Sequence, residues 1–416
     1  MLSQRSRFLV AAGLLATGML PIVTAAPDAD EPPIELPSAT ELQFSEDPYA
    51  GQDKLDMIKY GLAHLAAIRY ESASFSSEHA AYTGVYGDFC VYDAQLNNGD
   101  DPSLYPTVNE MMSKSDHCGD HTFTLPLDEV VAAVSSHDIA SGQMNPVVSG
   151  LLFHVGYAGA GLLSNAIVTF DSTLVVPEHT AIHDALFACD KIHNRFPSAD
   201  CSSSLQKQLL KDVVTLATRA SSGITHAYIK LNADSTVYMS MMREVFSDVP
   251  WTFHFRSPET VLAKSTQPKR NTCVFTRRQP SKVLAQKAEE YNLDLDGMTQ
   301  EDLCALYLST LLEVATQEHK HSGTGMLIDY EQLLDTDFIT YDILPYLGLQ
   351  AEIDADSATV SANVEATLST KSNNRESSGQ KVKKWSANEE VVNISDEVRA
   401  ASQLFMGSAM EALRRL

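Results

Sequence analysis

The residues best suited to chemistry begin at 152, where the chain reads "LFHVGYAGAGLLSNA": an apolar run, three glycines within six residues, then a helical pattern. Glycines that dense destabilise the interior of a strand or helix, so they mark a loop that turns tightly or lets its backbone approach a ligand. Strand, glycine loop and helix start together make an anion cradle. The amides at a helix N-terminus point at the anion, and the helix dipole favours its charge. A second strand ends in "VVPEHTAIHDAL", which places Glu178 on the same rim, where a carboxylate can take a proton from an acceptor hydroxyl. Taken alone, Glu178 reads more simply as a solvated strand-end carboxylate. Arg256 closes a third apolar strand, "WTFHFRS", also at the rim.

The frame Gly156-x-x-x-x-Gly161 matches the glycines of a nucleotide P-loop, but Leu162 and Leu163 stand where Lys and then Ser or Thr would follow. Those missing groups neutralise outer phosphates and bind magnesium, so a kinase or magnesium-dependent hydrolase is disfavoured. What remains is an anion held without a metal. Between Arg256 and Lys287 stand eight basic residues (Arg256, Lys264, Lys269, Arg270, Arg277, Arg278, Lys282 and Lys287) against one acid, Glu259. In so acidic a chain this concentration suggests a pocket for phosphate or sulfate, although beyond Lys269 a solvated loop is the preferred reading. His117, Cys118 and His121 of "DHCGDH" and His319 and His321 of "HKH" have the types of metal ligands without a fuller set around them. No metal is expected.

These residues sit in a chain of 416 residues, 44% apolar, with net charge −24. That length and apolar content support a full core in one large or two ordinary domains. The charge argues against nucleic acid, whose binding requires neutralising phosphates. The first residues carry Arg5 and Arg7, an apolar run from Phe8 to Met19 and then small residues. This is the order of a secretory signal peptide cleaved near Ala25 or Ala26, with an uncleaved signal anchor as the alternative. Membrane association is expected only in the second case. In that oxidising compartment Cys90, Cys118, Cys189, Cys201, Cys273 and Cys304 read as up to three disulfides; neighbours in sequence are the simplest partners among about fifteen pairings. Asn393-Ile394-Ser395 has the form of a glycosylation acceptor.

Residues 1–26 are thus the signal peptide or anchor, and 27–145 an acidic leader and N-terminal extension. Within the extension Leu55, Ile58, Leu62, Leu65 and Ile68 follow a helical spacing over 53–70. From about 90 to 125 the pattern dissolves into Asn, Gly, Asp and Ser. Over 146–352 short apolar runs, "VVSGLLFHV", "STLVVPE", "THAYIKLN", "WTFHFRS" and "GMLIDYEQL", alternate with helical patterns at 203–220, 235–247 and 299–318. Such alternation implies βαβ crossovers, hence an α/β fold with a mainly parallel sheet and helices on both faces. Residues 353–416 form a polar loop and a helix near 395–415.

The stretch from about 150 to 350 resembles the P-loop sulfotransferases, in particular a branch with segments FH-x-G-[FY]-x-G-S-T-LL, L-K-E-P-x-A-L-N-D, a Lys-bearing strand, and FPD-x-PW-x-F-x-x-R-x-P-x-E-V-L-x-S. Here these read "FHVGYAGAGLL", "VPEHTAIHD", "YIKLN" and "FSDVPWTFHFRSPETVLAKS", in the same order. The resemblance implies the donor 3′-phosphoadenosine 5′-phosphosulfate, with Gly156, Tyr157, Ala158, Gly159, Ala160, Gly161 and Leu162 around its 5′-phosphosulfate. It places Arg256 at the 3′-phosphate, Lys230 on the strand beneath, and Glu178 as the base that deprotonates the acceptor. The basic residues of "NNRESSGQKVKKW" are loosely similar to the family's C-terminal phosphate loop. Two positions depart from the pattern. Ala160 and Gly161 replace the loop's Ser and Thr, and Lys264 stands where a Ser is expected, with Ser265 one step late. Lys264 can hold a phosphate as a point charge. A lost transition-state donor is costlier, on the order of a hundred- to thousand-fold in rate. The expected activity is sulfuryl transfer to a hydroxyl of a glycan, a tyrosine or a small molecule; the alternative is a secreted protein that keeps the fold and has lost turnover.

Overall fold

The computed structural model describes residues 49, 51–76, 78, 81–92, 107–115, 117–141, 145–195, 201–220, 223–267, 273, 282–369 and 393–416. The signal segment, the acidic leader to residue 48, the basic residues Lys269, Arg270, Arg277 and Arg278, and "NNRESSGQKVKKW" lie outside them.

Among the described residues eight strands build two sheets. β1 (His64–Ser74), β2 (Thr83–Cys90) and β3 (Phe123–Pro126) pair antiparallel in that order. β4 (Val147–His154), β5 (Thr173–Pro177), β6 (His226–Lys230), β7 (Trp251–Phe255) and β8 (Met326–Asp329) form the expected parallel sheet in the order β5-β6-β4-β7-β8. All five coincide with the apolar runs of the sequence. These runs are continuous because both faces are covered. Leu151 and Phe153 of β4 enter one apolar cluster with Leu209 and Val213 of helix Ser203–Ala217 and Leu308 and Leu312 of helix Gln300–Ser322. Leu152 enters a second cluster with Leu163 and Ile167 of helix Ala160–Ile167 and Val360 and Val364 of helix Ser357–Ser369. Each fully buried Leu or Val contributes on the order of 1.5–3 kcal/mol.

The N-terminal extension departs from its expected helical form. Over 53–70 only Lys54–Lys59 is helical, capped by the Asp53 carboxylate, and the chain then turns through Gly61 at φ +68° into β1. Leu65 and Ile68 mimic helical spacing because the register of β1 against β2 shifts between Leu65 and Ala67. One extra residue in a strand makes positions three apart bury together. Two further elements lay hidden in polar sequence. Thr107 caps helix Val108–Lys114, and helix Ser357–Ser369 falls where a polar loop was expected. At the C-terminus, Asp396–Ala401, Ser402–Met406 and Gly407–Arg414 continue as successive helical turns packed against helix Gln300–Ser322.

Residues 47–416 form one compact unit, so the extension belongs to the same body as the parallel sheet. Arg219 ties the two regions: its guanidinium, 1% exposed, donates to the carbonyls of Ile58 and Lys59 and pairs with Asp138 and Asn145. The cysteines pair as sequence neighbours, Cys90–Cys118, Cys189–Cys201 and Cys273–Cys304. Three disulfides fit an oxidising, secretory-type environment. Bonded to Cys90, the Cys118 of "DHCGDH" has no thiolate to offer a metal. Among the described residues no helix is long and apolar enough to cross a membrane.

Candidate active site

The chain leaves β4 toward β5 on one side of the sheet, and leaves β7 toward β8 on the other. Adjacent strands whose connections diverge open a crevice at their carboxyl ends, and open α/β sheets bind ligands there. The glycine loop follows β4 and Arg256 follows β7, so both border that crevice.

The three glycines are not equivalent. Gly156 and Gly159 adopt φ of +92° and +87°, which only glycine takes at little cost, and Tyr157 between them is held at +50°. At Gly159 a side chain is excluded twice over, since a Cβ would stand 2.6 Å from Leu333 Cδ1 and 3.0 Å from the Tyr330 ring. Gly159 is also the N-cap of helix Ala160–Ile167. Gly161 is different: it lies within the helix, and a Cβ there would meet nothing within 4 Å. The amides of Ala160 and Gly161 open the helix, where no preceding turn can accept them. Leu162 donates its amide to the Gly159 carbonyl at 2.8 Å and buries its side chain. Gly156 donates to His154 Nδ1 at 3.0 Å, and Ala158 is buried. Of the seven loop residues expected around a phosphosulfate, Ala160 and Gly161 therefore present the helix amides.

Glu178 stands just past β5 with φ +51°, and its amide donates to the Lys230 carbonyl at 2.7 Å. Two of the three non-glycine residues with positive φ in the described chain, Tyr157 and Glu178, thus lie at this rim. Such strain persists where surroundings overdetermine it and is enriched at functional sites. The side chain of Lys230, at the end of β6, is ion-paired to Glu178 Oε1. Lys230 is 8% exposed and Glu178 21%, so the ammonium is buried while the carboxylate reaches solvent. His154 Nε2 lies 3.8 Å from the same carboxylate oxygen. Burial first, and then the Lys230 cation, lower the His154 ring's pKa to about 4, against the opposing pull of Glu178 and the Leu231 carbonyl.

His179, which sequence reasoning passed over, fixes the segment from behind. Its Nδ1 accepts the Ala181 amide at 3.1 Å and so caps helix Thr180–Leu186; its Nε2 donates to the Leu65 carbonyl on β1 at 2.9 Å. Burial lowers its pKa to about 4 and keeps the ring neutral. Its position directly before a helical run was the available signal, because N-cap residues supply side-chain acceptors. Through His179 the antiparallel sheet helps aim Glu178.

On the other side of the crevice the Arg256 guanidinium stacks on the Tyr330 ring, 3.8 Å from its centroid. Tyr330, together with Leu333, occupies the space left by Gly159. Loop, aromatic ring and guanidinium are therefore one contact chain. Lys264 falls in the last turn of helix Pro258–Ser265, where both it and Ser265 are buried. Lys287 is neither in a phosphate pocket nor in a solvated loop: it is buried, ion-paired with Glu313 and placed over the Tyr291 ring.

The site thus joins a glycine loop at a helix N-terminus, a carboxylate–ammonium pair and a stacked guanidinium, all at the carboxyl ends of one parallel α/β sheet. A scan against protein-family models finds no match, and neither does a search of the curated proteins.

Proposed function

We propose that this chain is a sulfotransferase of the secretory pathway that moves a sulfuryl group from 3′-phosphoadenosine 5′-phosphosulfate to a hydroxyl acceptor. One observation carries this reading. Glu178, Lys230, the glycine loop and Arg256 stand at the carboxyl ends of four neighbouring strands, β5, β6, β4 and β7 respectively. The order of sequence motifs supports it independently. The donor is polyanionic, and the residues present suit it: helix amides at Ala160 and Gly161, and cations at Lys230 and Arg256.

In the reaction the acceptor oxygen bonds to sulfur while the bond from sulfur to the oxygen bridging the 5′-phosphate breaks. Its electron pair leaves on adenosine 3′,5′-bisphosphate. The acceptor's proton passes to Glu178, which already stands beside a cation able to adjust as the carboxylate changes charge. Preorganised amides and cations stabilise charge on the departing and transferring oxygens.

A nucleotide-binding protein without turnover is the second reading, and Ala160 and Gly161 favour it. The nearest hydroxyl of that helix does not replace what they lack, since Ser164 is buried and donates back to the Ala160 carbonyl at 3.0 Å.

The nucleotide half of the proposal is tested by melting. Adenosine 3′,5′-bisphosphate at about 100 Kd should stabilise the fold by roughly 2.7 kcal/mol, a rise of about 3–4 °C for a chain this long. Adenosine 5′-monophosphate should do much less, and Arg256→Ala should abolish the difference. Equal shifts from the two nucleotides would remove Arg256 from the 3′-phosphate.

A further inference from the structure

His154 and His254 pair across β4 and β7 in register, both buried within the sheet. His254 meets Thr252 of its own strand, with 2.9 Å between Nε2 and Oγ1, as a core histidine does. His154 instead joins two separate parts of the rim. Its Nδ1 accepts the Gly156 amide at 3.0 Å, which assigns the ring proton to Nε2. That Nε2–H faces Glu178 Oε1 at 3.8 Å and the Leu231 carbonyl, yet makes no hydrogen bond of ordinary geometry. The ring is 7% exposed, so bulk water has little access to it. A buried donor left unsatisfied is costly, and one aimed at a carboxylate is satisfied by a small carboxylate movement.

We propose that His154 is a positioning residue that holds the glycine loop and the Glu178 carboxylate as one unit, through its two ring nitrogens. The loop half follows from geometry. Gly156 is the first residue of the loop with positive φ, so anchoring its amide sets the direction in which the chain enters Tyr157 and reaches the helix N-terminus. The carboxylate half acts on the Glu178 Oε1 that Lys230 also holds. Burial keeps the imidazole neutral, so Nδ1 stays available as an acceptor. The proposal rests on the sulfuryl-transfer reading only for the work that Glu178 does.

Two near-isosteres separate the nitrogens. The amide of Asn ends near the place of Nδ1, and that of Gln near the place of Nε2. In the full chain without nucleotide, exchange of the Gly156 amide, followed by NMR, should be slow in the native protein. His154→Gln should speed it roughly ten-fold, the worth of one hydrogen bond, while His154→Asn should stay within about three-fold of native. Affinity for adenosine 3′,5′-bisphosphate should follow the same order. The link to Glu178 is read by a double-mutant cycle on Gly156 exchange. Glu178→Gln should alter that exchange in the native background by about two- to three-fold and leave it unaltered in His154→Asn, which lacks the second nitrogen. Where sulfate transfer is measurable, His154→Asn should lower kcat by about ten-fold with donor KM unchanged. Equal Gly156 exchange in both variants, or additive effects in the cycle, would overturn the proposal. So would losses in both variants that merely track a lowered melting temperature. The expected exchange pattern without any nucleotide binding would uphold His154 as the loop's anchor and count against the sulfuryl-transfer reading alone.

Discussion

Glu178→Gln is expected to reduce sulfuryl transfer about a hundred-fold or more while donor binding survives, because the acceptor's proton then has no carboxylate to receive it. The substitution keeps the size of the side chain and leaves the backbone at φ +51° as strained as before, so any effect is that of the charge. It also removes the partner of a buried ammonium. Lys230 is 8% exposed, and an uncompensated cation at such depth lowers stability by a few kcal/mol. An anionic donor relieves that cost. Affinity for adenosine 3′,5′-bisphosphate should therefore hold or rise as activity falls, a divergence that a purely structural ion pair would not produce. Steady-state kinetics with calorimetric titration of the bisphosphate checks both halves. Activity and affinity falling together would assign Glu178 to structure only.

The second large effect separates two glycines that the sequence presents as equals. Gly159→Ala should disrupt the site: an L-residue at φ +87° is strained, and its Cβ would stand 2.6 Å from Leu333 Cδ1 and 3.0 Å from Tyr330. Tyr330 carries Arg256, so relief of that clash moves the guanidinium too. A loss of roughly 1–3 kcal/mol in stability and ten-fold or more in bisphosphate affinity is expected. Gly161→Ala, in open space within the helix, should instead leave affinity near native and stabilise by up to about 1 kcal/mol. Thermal melts and titrations of both variants decide it. Equal damage from the two would mean that the loop is not built as described.

The parallel sheet was legible because its strands are buried on both faces and punctuated by Gly, Pro and Asn, so each reads as a short apolar block. The antiparallel sheet was not. A register shift in β1 spaces Leu65 and Ile68 three apart, and periodicity alone then reads helix. Helix Ser357–Ser369 was missed for a related reason. Only Val360, Val364 and Leu368 mark its buried stripe, a four-residue repeat visible in retrospect within a polar run. At the site, the strand-end positions of Glu178 and Arg256 followed from the apolar runs that they close, and Lys230 from the family resemblance. The roles of His154 and His179 did not, because they depend on which amides their rings reach. Sequence also treats Gly159 and Gly161 alike, since the pressure on Gly159 comes from Leu333 and Tyr330, about 170 residues away in the chain.

The most direct measurement offers the full chain 3′-phosphoadenosine 5′-phosphosulfate labelled in the sulfuryl group, together with glycan, tyrosine-peptide and small hydroxyl acceptors, and follows both label and bisphosphate. Release of adenosine 3′,5′-bisphosphate should match label gained by one acceptor class, slow in the native chain, faster in the double substitution Ala160→Ser with Gly161→Thr, and absent in Glu178→Gln. The open space around Gly161 leaves room for the first side-chain atom of that threonine. Donor bound by both the native and the restored loop, with no label reaching any acceptor, would contradict sulfuryl transfer and leave a nucleotide-binding protein.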